Sequence, residues 1–134
     1  MQAIWRCWET GEKLDFNGEF YRHNLMTPMF TPSRATYGAP GVNLAAVGPL
    51  MTEVAAEVAN GVIAHGFTTV KYLRDVTLPA VQRGLEKSGR QREDFEVSLP
   101  VMVVTGVNEV AYEQSKLAVR SQLGFYASTP AYQP

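Results

Sequence analysis

The residues of this chain with the clearest chemical potential are Ala45-Ala46-Val47-Gly48-Pro49. They stand where an apolar run, Val42 to Val47, gives way to a helical pattern. A turn between a parallel strand and a helix presents free backbone N–H groups and the positive end of the helix dipole, which together attract phosphate. The small side chains leave room for a ring or a phosphate to approach the backbone, and Gly48 lets the chain bend sharply. Gly-Pro at this place also has a plain structural reading, a tight strand-to-helix turn. His65 follows the next apolar run, at the same rim, and is a candidate for a functional imidazole there. It reads equally as a hydrogen-bonded loop histidine. Thr68 is placed to cap a helix and to face a ligand, and Thr105-Gly106 closes a third run. Three strand ends therefore define one edge on which a ligand could sit. His23 lies near a hairpin with no partner residue, Arg74 and Asp75 read as a solvated helix face, and Trp5 and Trp8 as core or interface aromatics. No Ser/His/Asp set, Cys/His pair, metal-ligand cluster or full dinucleotide fingerprint is present, so no residue is assigned a catalytic role and no metal is expected.

The elements that must position these residues are legible from periodicity. Val42 to Val47 reads as a strand buried on both faces of a parallel sheet. Pro49 suits the first helical turn, and Met51, Val54, Ala55 and Val58 form an apolar stripe opposite Thr52, Glu53 and Glu57. Asn60-Gly61 ends that helix, and Val62-Ile63-Ala64 begins a second strand. Thr68 or Thr69 can cap a helix to about Ser88, with Val70, Leu73, Val76, Ala80, Val81 and Leu85 inward, Pro79 kinking it or shifting its start, and Gly89 supplying the stop. Phe95 to Thr105 reads as a third strand with a bulge or edge position at Pro100. Asn108 caps a last helix, roughly Glu109 to Gly124. Strands and helices in this alternation imply a parallel sheet with right-handed crossovers. Before them come a helix over residues 2 to about 12, a short hairpin around Asn17-Gly18, and a long irregular Pro-rich connection up to Pro40. The expected organisation is a single partial-barrel domain over 1–134: 1–40 as helix, hairpin and connection, 41–124 as three β/α units, and 125–134 as a tail.

Composition bounds the partners. With 134 residues, 46% apolar, and a net charge of −1, the chain has the makings of one globular domain. Near-neutral charge removes the electrostatic signature of nucleic-acid binding, and the short Lys87, Arg90, Arg92 group reads as a solvated loop. A single cysteine, Cys7, forms no internal disulfide, so a reducing compartment, by default the cytoplasm, is expected. The charged N-terminus does not read as a signal peptide, and no segment approaches the ~20 apolar residues of a membrane span.

Taken together, LDFNGEFYRH, the Pro-rich connection, NLAAVGPLMTEVAAEVANGVIAH and YLRDVTLPAVQRGLEKSGRQREDFEVSLPVMVVTG resemble the C-terminal part of the bacterial luciferase-like superfamily of flavin- or deazaflavin-dependent oxidoreductases and monooxygenases. In that family a strand ending Ala-Ala-x-Gly-Pro precedes a helix and an Ala-Asp-Gly strand start; here these read Ala45-Ala46-Val47-Gly48-Pro49 and Ala59-Asn60-Gly61. Asn60 departs from the usual Asp, a change expected to affect a turn or a local ion pair. The resemblance implies an α/β fold corresponding to about three β/α units, roughly the last three strands, of a TIM-type (β/α)8 barrel. It implies coenzyme F420 or FMN as cofactor along Ala45 to Pro49, with His65, Thr68 and Thr105 as rim contacts, and a small-molecule substrate. The cofactor itself carries the hydride or oxygen chemistry in such enzymes. An arc of three strands leaves sheet edges open, so the expectation includes a truncated form, or a non-catalytic split half completed by a copy of itself or by a complementary chain.

Overall fold

The computed structural model describes residues 1–33 and 36–132; Arg34 and Ala35 of the Pro-rich connection, and Gln133 and Pro134 of the expected tail, lie outside the described residues. The chain forms two compact units, Met1–Pro40 and Gly41–Pro134.

In the first unit, α1 (Gln2–Thr10) ends at Gly11, whose φ of 73° is the left-handed conformation that glycine accepts at a helix C-terminus. Cys7 and Leu14 are buried, and the Trp8 indole N–H donates to the Met26 sulfur at 3.2 Å. The hairpin pairs β1 (Phe16–Asn17) with β2 (Arg22–His23) in antiparallel register, Phe16 opposite His23. Its turn is not at Asn17-Gly18: Asn17 pairs with Arg22, the Gly18 amide donates to the Tyr21 carbonyl at 2.9 Å, and the chain bends at Glu19 and Phe20. The connection includes a 3-10 turn, Pro28–Phe30.

The second unit is built on a three-stranded parallel sheet in the order β3 (Asn43–Ala46), β4 (Gly61–Ala64), β5 (Glu96–Ser98). The register runs Asn43, Gly61, Glu96 and then Ala45, Ile63, Ser98 across the strands. Strand side chains alternate, so one face carries Leu44, Ala46, Val62 and Val97 and the other Ala45 and Ile63. The first face meets Ala55, Ala56, Val81, Leu85 and Phe95 to form the core. On the other, Ala45, Val47 and Ile63 are exposed, which corrects the expectation of a strand buried on both faces: α2 and α4 supply the apolar surface for one side only.

Helix α2 (Pro49–Val58) starts where Gly48-Pro49 placed it. Its buried residues are Thr52, Ala55 and Ala56, however, while Met51, Val54 and Val58 face outward. The reason is the neighbour. In α4 (Leu78–Ser88), Gly84 comes so near α2 that a Cβ built on it would stand 2.7 Å from Ala56 Cβ and collide with the Glu53 carbonyl. A crossing that close admits only small side chains, so the larger valines turn away.

The helix before α4 is capped by Thr69, whose hydroxyl accepts from the Tyr72 amide at 3.1 Å; Thr68 does not cap it. It begins as α3 (Val70–Tyr72), widens to a π-turn over Leu73–Thr77 and continues as α4. Pro79 has no N–H to give and its ring crowds the preceding turn, and the widened turn just ahead of it accommodates this without ending the helix. Val70 is 70% exposed, against its expected inward position, and Thr77 is buried instead. Strand β5 is much shorter than Phe95 to Thr105. Beyond Ser98 the chain leaves the ladder, as Pro100 lacks a donor and β4 itself ends at Ala64. Asn108 caps α5 (Glu109–Ala127), accepting from the Ala111 amide at 2.9 Å, and the helix continues past Gly124 by three residues into the expected tail before a 3-10 turn, Pro130–Tyr132. Among the described residues, no helix is long and apolar enough to cross a membrane.

The Lys87, Arg90, Arg92 group is not a solvated loop. Lys87 pairs with Glu53 and, at 3.3 Å, with Glu57; Arg92 donates to the Phe95 carbonyl at 2.5 Å. Arg90 Nη1 donates to the carbonyls of Ala56, at 3.2 Å, and Ala59. It thereby satisfies carbonyls at the C-terminal end of α2 that have no partner within the helix. Asn60 acts in a turn, as its departure from Asp suggested: its side-chain oxygen accepts from the Val42 amide at 2.8 Å.

Candidate functional site

Three segments meet at the C-terminal rim of the sheet. The first is the end of β3 with the turn Val47-Gly48, which leads into α2. Gly48 is the N-cap, with extended backbone (φ −96°) and no side chain to occupy the helix terminus. Pro49 at the first helical position has no N–H, so the first-turn donors left over are the amides of Leu50 and Met51. Thr52 does not compete for them: its hydroxyl and its amide both donate to the Gly48 carbonyl, at 2.9 and 3.1 Å. The first turn carries no acidic residue to oppose an anion there. A Cβ placed on Gly48 would meet nothing within 4 Å, so space is open in front of the turn.

The second segment is the end of β4. His65 is half-buried, and its Nδ1 accepts a hydrogen bond from the Phe67 amide at 3.2 Å. Its ring lies nearly parallel to that of Tyr132, centroids 4.6 Å apart and planes 20° apart, and meets the Tyr126 ring edge-on at 4.7 Å and 78°. The third segment is the extended chain after β5.

Together with α5 they border an open cavity of about 340 Å³. Ala45, Ala46 and Val47 line it from β3, Ile63 to Gly66 from β4 and its turn, Pro100 to Met102 from beyond β5, and Gln122 and Tyr126 from α5. None of these is a lysine, arginine, aspartate or glutamate. The arrangement offers an apolar wall of small side chains for a planar group, a few neutral polar groups at its edge, and a helix N-terminus for an anion alongside.

Of the residues singled out from sequence, Ala45, Ala46, Val47 and His65 line this cavity, and Gly48 and Pro49 form the adjoining helix start. Thr68 and Thr105 are not among the lining residues. The Thr68 amide donates to the His65 carbonyl at 2.9 Å, and the Thr105 amide donates to Ser115 Oγ at 3.3 Å on α5, so each serves a turn or a packing contact. Thr105 lies outside the strand because β5 stops at Ser98. His23 is exposed and lies beside the rings of Phe16 and Tyr21, with centroids 6.0 and 6.3 Å away. Sequence reasoning missed Tyr126, Tyr132 and Gln122. The signal available was the aromatic pair Phe125-Tyr126 beyond Gly124, which reads as tail once that glycine is taken as a stop.

The model of the luciferase-like monooxygenase family matches residues 1–134. An uncharacterized protein of Mycobacterium tuberculosis is 50% identical over 132 residues, covering 98% of this chain and 39% of the relative. An F420-dependent glucose-6-phosphate dehydrogenase of Nakamurella multipartita is 30% identical over 103 residues, covering 77% of this chain and 29% of the relative. Among solved structures, the coenzyme F420-dependent tetrahydromethanopterin reductase of Methanopyrus kandleri superposes with a TM-score of 0.67 at 22% identity, over 90% of this chain and 34% of that one. An F420-dependent secondary alcohol dehydrogenase, solved with an F420–acetone adduct, gives a TM-score of 0.58 at 16% identity, over 70% of this chain and 27% of that one. The chain thus spans well under half the length of the curated relatives it matches, and shares its α/β fold with a part of each solved structure. On the match across its whole length, the chain belongs to the luciferase-like monooxygenase family.

Proposed function

We propose that this chain supplies the last three β/α units of a (β/α)8 oxidoreductase and, with them, one wall of a coenzyme F420 site. The observation that carries the reading is a juxtaposition: the small residues ending β3 line the rim cavity, and the uncapped start of α2 follows them directly in the chain. Ala45, Ala46 and Val47 would lie along the ring, and Gly48 with the amides of Leu50 and Met51 would receive a phosphate. F420 is favoured over FMN because the relatives and solved structures compared above are F420-dependent by name. Bound F420 would supply hydride transfer with a small-molecule substrate; this chain's residues would bind and orient the ring and exclude water from one side of it. A cytoplasmic setting is supported by the single unpaired cysteine.

Titration of the purified chain with F420 and with FMN, followed by absorbance and fluorescence of the ligand, tests the reading. F420 is expected to bind more tightly. Gly48→Asp is the decisive variant, because a φ of −96° suits any residue and Asp is a good N-cap, so the helix is kept while a carboxylate occupies the anion position. F420 binding unchanged in this variant would remove the turn from the site.

A second reading is that the chain completes a barrel with a copy of itself or with a complementary chain. The exposed Leu50, Met51, Val54 and Val58 on α2, and Ile63 on the sheet, favour it. Light scattering on the eluting protein separates the cases: a monomer at all concentrations defeats self-assembly.

A further inference from the structure

We propose that His65 is a hydrogen-bond donor to a carbonyl oxygen on the edge of a planar ring bound in the rim cavity. The Phe67 amide fixes its tautomer, and Tyr126 and Tyr132 fix its orientation. This rests on the cofactor-site reading and names the group through which that site would grip the ring.

A neutral imidazole carries one proton on one of two nitrogens, and the hydrogen bond at the other decides which. Here the Phe67 N–H donates to Nδ1 at 3.2 Å, so Nδ1 is the acceptor and the proton resides on Nε2. Among the described residues, Nε2 has no hydrogen-bond partner, although His65 is half-buried and lines the cavity. That nitrogen is open to solvent in the free chain, so a ligand carbonyl would take the place of water on it. Its direction is not left to chance. Tyr132 stacks on the ring at 4.6 Å and Tyr126 abuts it edge-on at 4.7 Å, two contacts at a steep angle to each other that together restrict rotation of the imidazole.

The chemistry of the acceptor follows from what surrounds it. Among the described residues, the polar side chains lining the cavity are those of His65, Gln122 and Tyr126, and no cation lies among them. A phosphate or carboxylate would find no counter-charge there, whereas a neutral carbonyl on a flat heterocycle would find the His65 imidazole and an apolar wall of Ala45, Val47 and Ile63. The anionic part of such a ligand belongs instead at the start of α2.

Two measurements test this. Long-range ¹H–¹⁵N correlation on the ligand-free chain, with His65→Phe used to tell its signals from those of His23, is expected to show His65 protonated at Nε2. Binding is then measured with F420 and with 5-deazariboflavin, which keeps the ring and lacks the phosphate. His65→Phe preserves the aromatic packing and deletes the donor, and is expected to weaken both ligands about five- to tenfold. Gly48→Asp should weaken F420 alone and leave 5-deazariboflavin within about twofold of wild type, so ring grip and phosphate grip fail separately. Tyr132 is a positioning residue: Tyr132→Ala should reproduce the His65→Phe loss and Tyr132→Phe should restore binding, since the stack needs no hydroxyl. Protonation at Nδ1, or equal ligand affinity in wild type and His65→Phe, overturns the proposal while leaving the α2 site standing. A wild-type chain that binds neither probe overturns both.

Discussion

Asn43 of β3 and Glu96 of β5 meet across the intervening strand, with the Asn43 side-chain amide donating to Glu96 Oε2 at 3.3 Å. Two strands separate their backbones by roughly 9–10 Å, and the side chains bridge that distance because Gly61 lies between them in register. A Cβ at Gly61 would stand 2.6 Å from Asn43 Oδ1 and 2.8 Å from the Glu96 carbonyl. The second of those is backbone and cannot swing aside. Gly61→Ala is therefore expected to destabilise the second unit by about 1–3 kcal/mol, measured as a lower urea midpoint with unchanged slope. Asn43→Ala in the same background should recover little, since the carbonyl clash persists.

Arg90 bridges the end of α2 to the turn after α4. Its guanidinium donates to the Ala56 and Ala59 carbonyls, reaches the Asp94 carbonyl at 3.4 Å, and lies 5.7 Å from the centre of the Phe95 ring. Arg90→Ala leaves those carbonyls without the charged donor, an expected loss of about 1–3 kcal/mol. Arg90→Lys should recover only part of this, because one ammonium cannot reproduce the planar fork. Equal unfolding midpoints for wild type and Arg90→Ala would show that water replaces the contact at no cost.

These contacts also mark where sequence stops being informative. The start of α2 was legible because Gly48 and Pro49 act through their own backbones, and the caps Thr69 and Asn108 because they act on residues three positions away. Arg90 read as solvated because its partners are carbonyls, which no side-chain pattern displays. Phe95 to Thr105 has the composition of a long strand, yet only Glu96–Ser98 pairs, since a ladder is a property of the neighbour as much as of the strand. The β3 end and His65 emerged as site candidates from their places at strand ends. Tyr126 and Tyr132 did not, because their contact with His65 depends on how the end of α5 returns to the rim.

Stability should fall on the acid side through identifiable carboxylates. The Lys87 ammonium, and after it the Arg83 guanidinium, hold the Glu53 carboxyl below the ordinary value of 4.5; the Ser98 hydroxyl and the Asn43 amide do the same for Glu96. A carboxylate with a depressed folded-state value stabilises above its unfolded value and loses that contribution as pH falls through the folded one. Lys87, raised above 10.5 chiefly by Glu53 and then by Glu57, contributes below its unfolded value and loses this only as pH rises through its folded one. Urea midpoints should thus decline from about pH 5 downward, with a shallower decline in Glu53→Gln. Parallel acid limbs in the two proteins would refute the role given to Glu53.

Two glycines within helices should respond to alanine with opposite signs. Alanine exceeds glycine in helix propensity by ~1 kcal/mol, which favours the substitution at either place. At Gly124 in α5 nothing lies within 4 Å of an added Cβ, so the propensity gain stands alone and Gly124→Ala should stabilise by about 0.5–1 kcal/mol. At Gly84 in α4 the added carbon meets the Glu53 carbonyl and stands 2.7 Å from Ala56 Cβ. Relief requires α4 to move off α2, loosening Val81 and Leu85 in the core and stretching the pairs from Arg83 and Lys87 to Glu53. Overpacking of this kind costs about 1–3 kcal/mol, more than the propensity returns, so Gly84→Ala is expected to lower the urea midpoint while Gly124→Ala raises it. A rise in both would mean that the two helices slide apart freely, and that the small residues Thr52, Ala55 and Ala56 are not held to their size by the crossing.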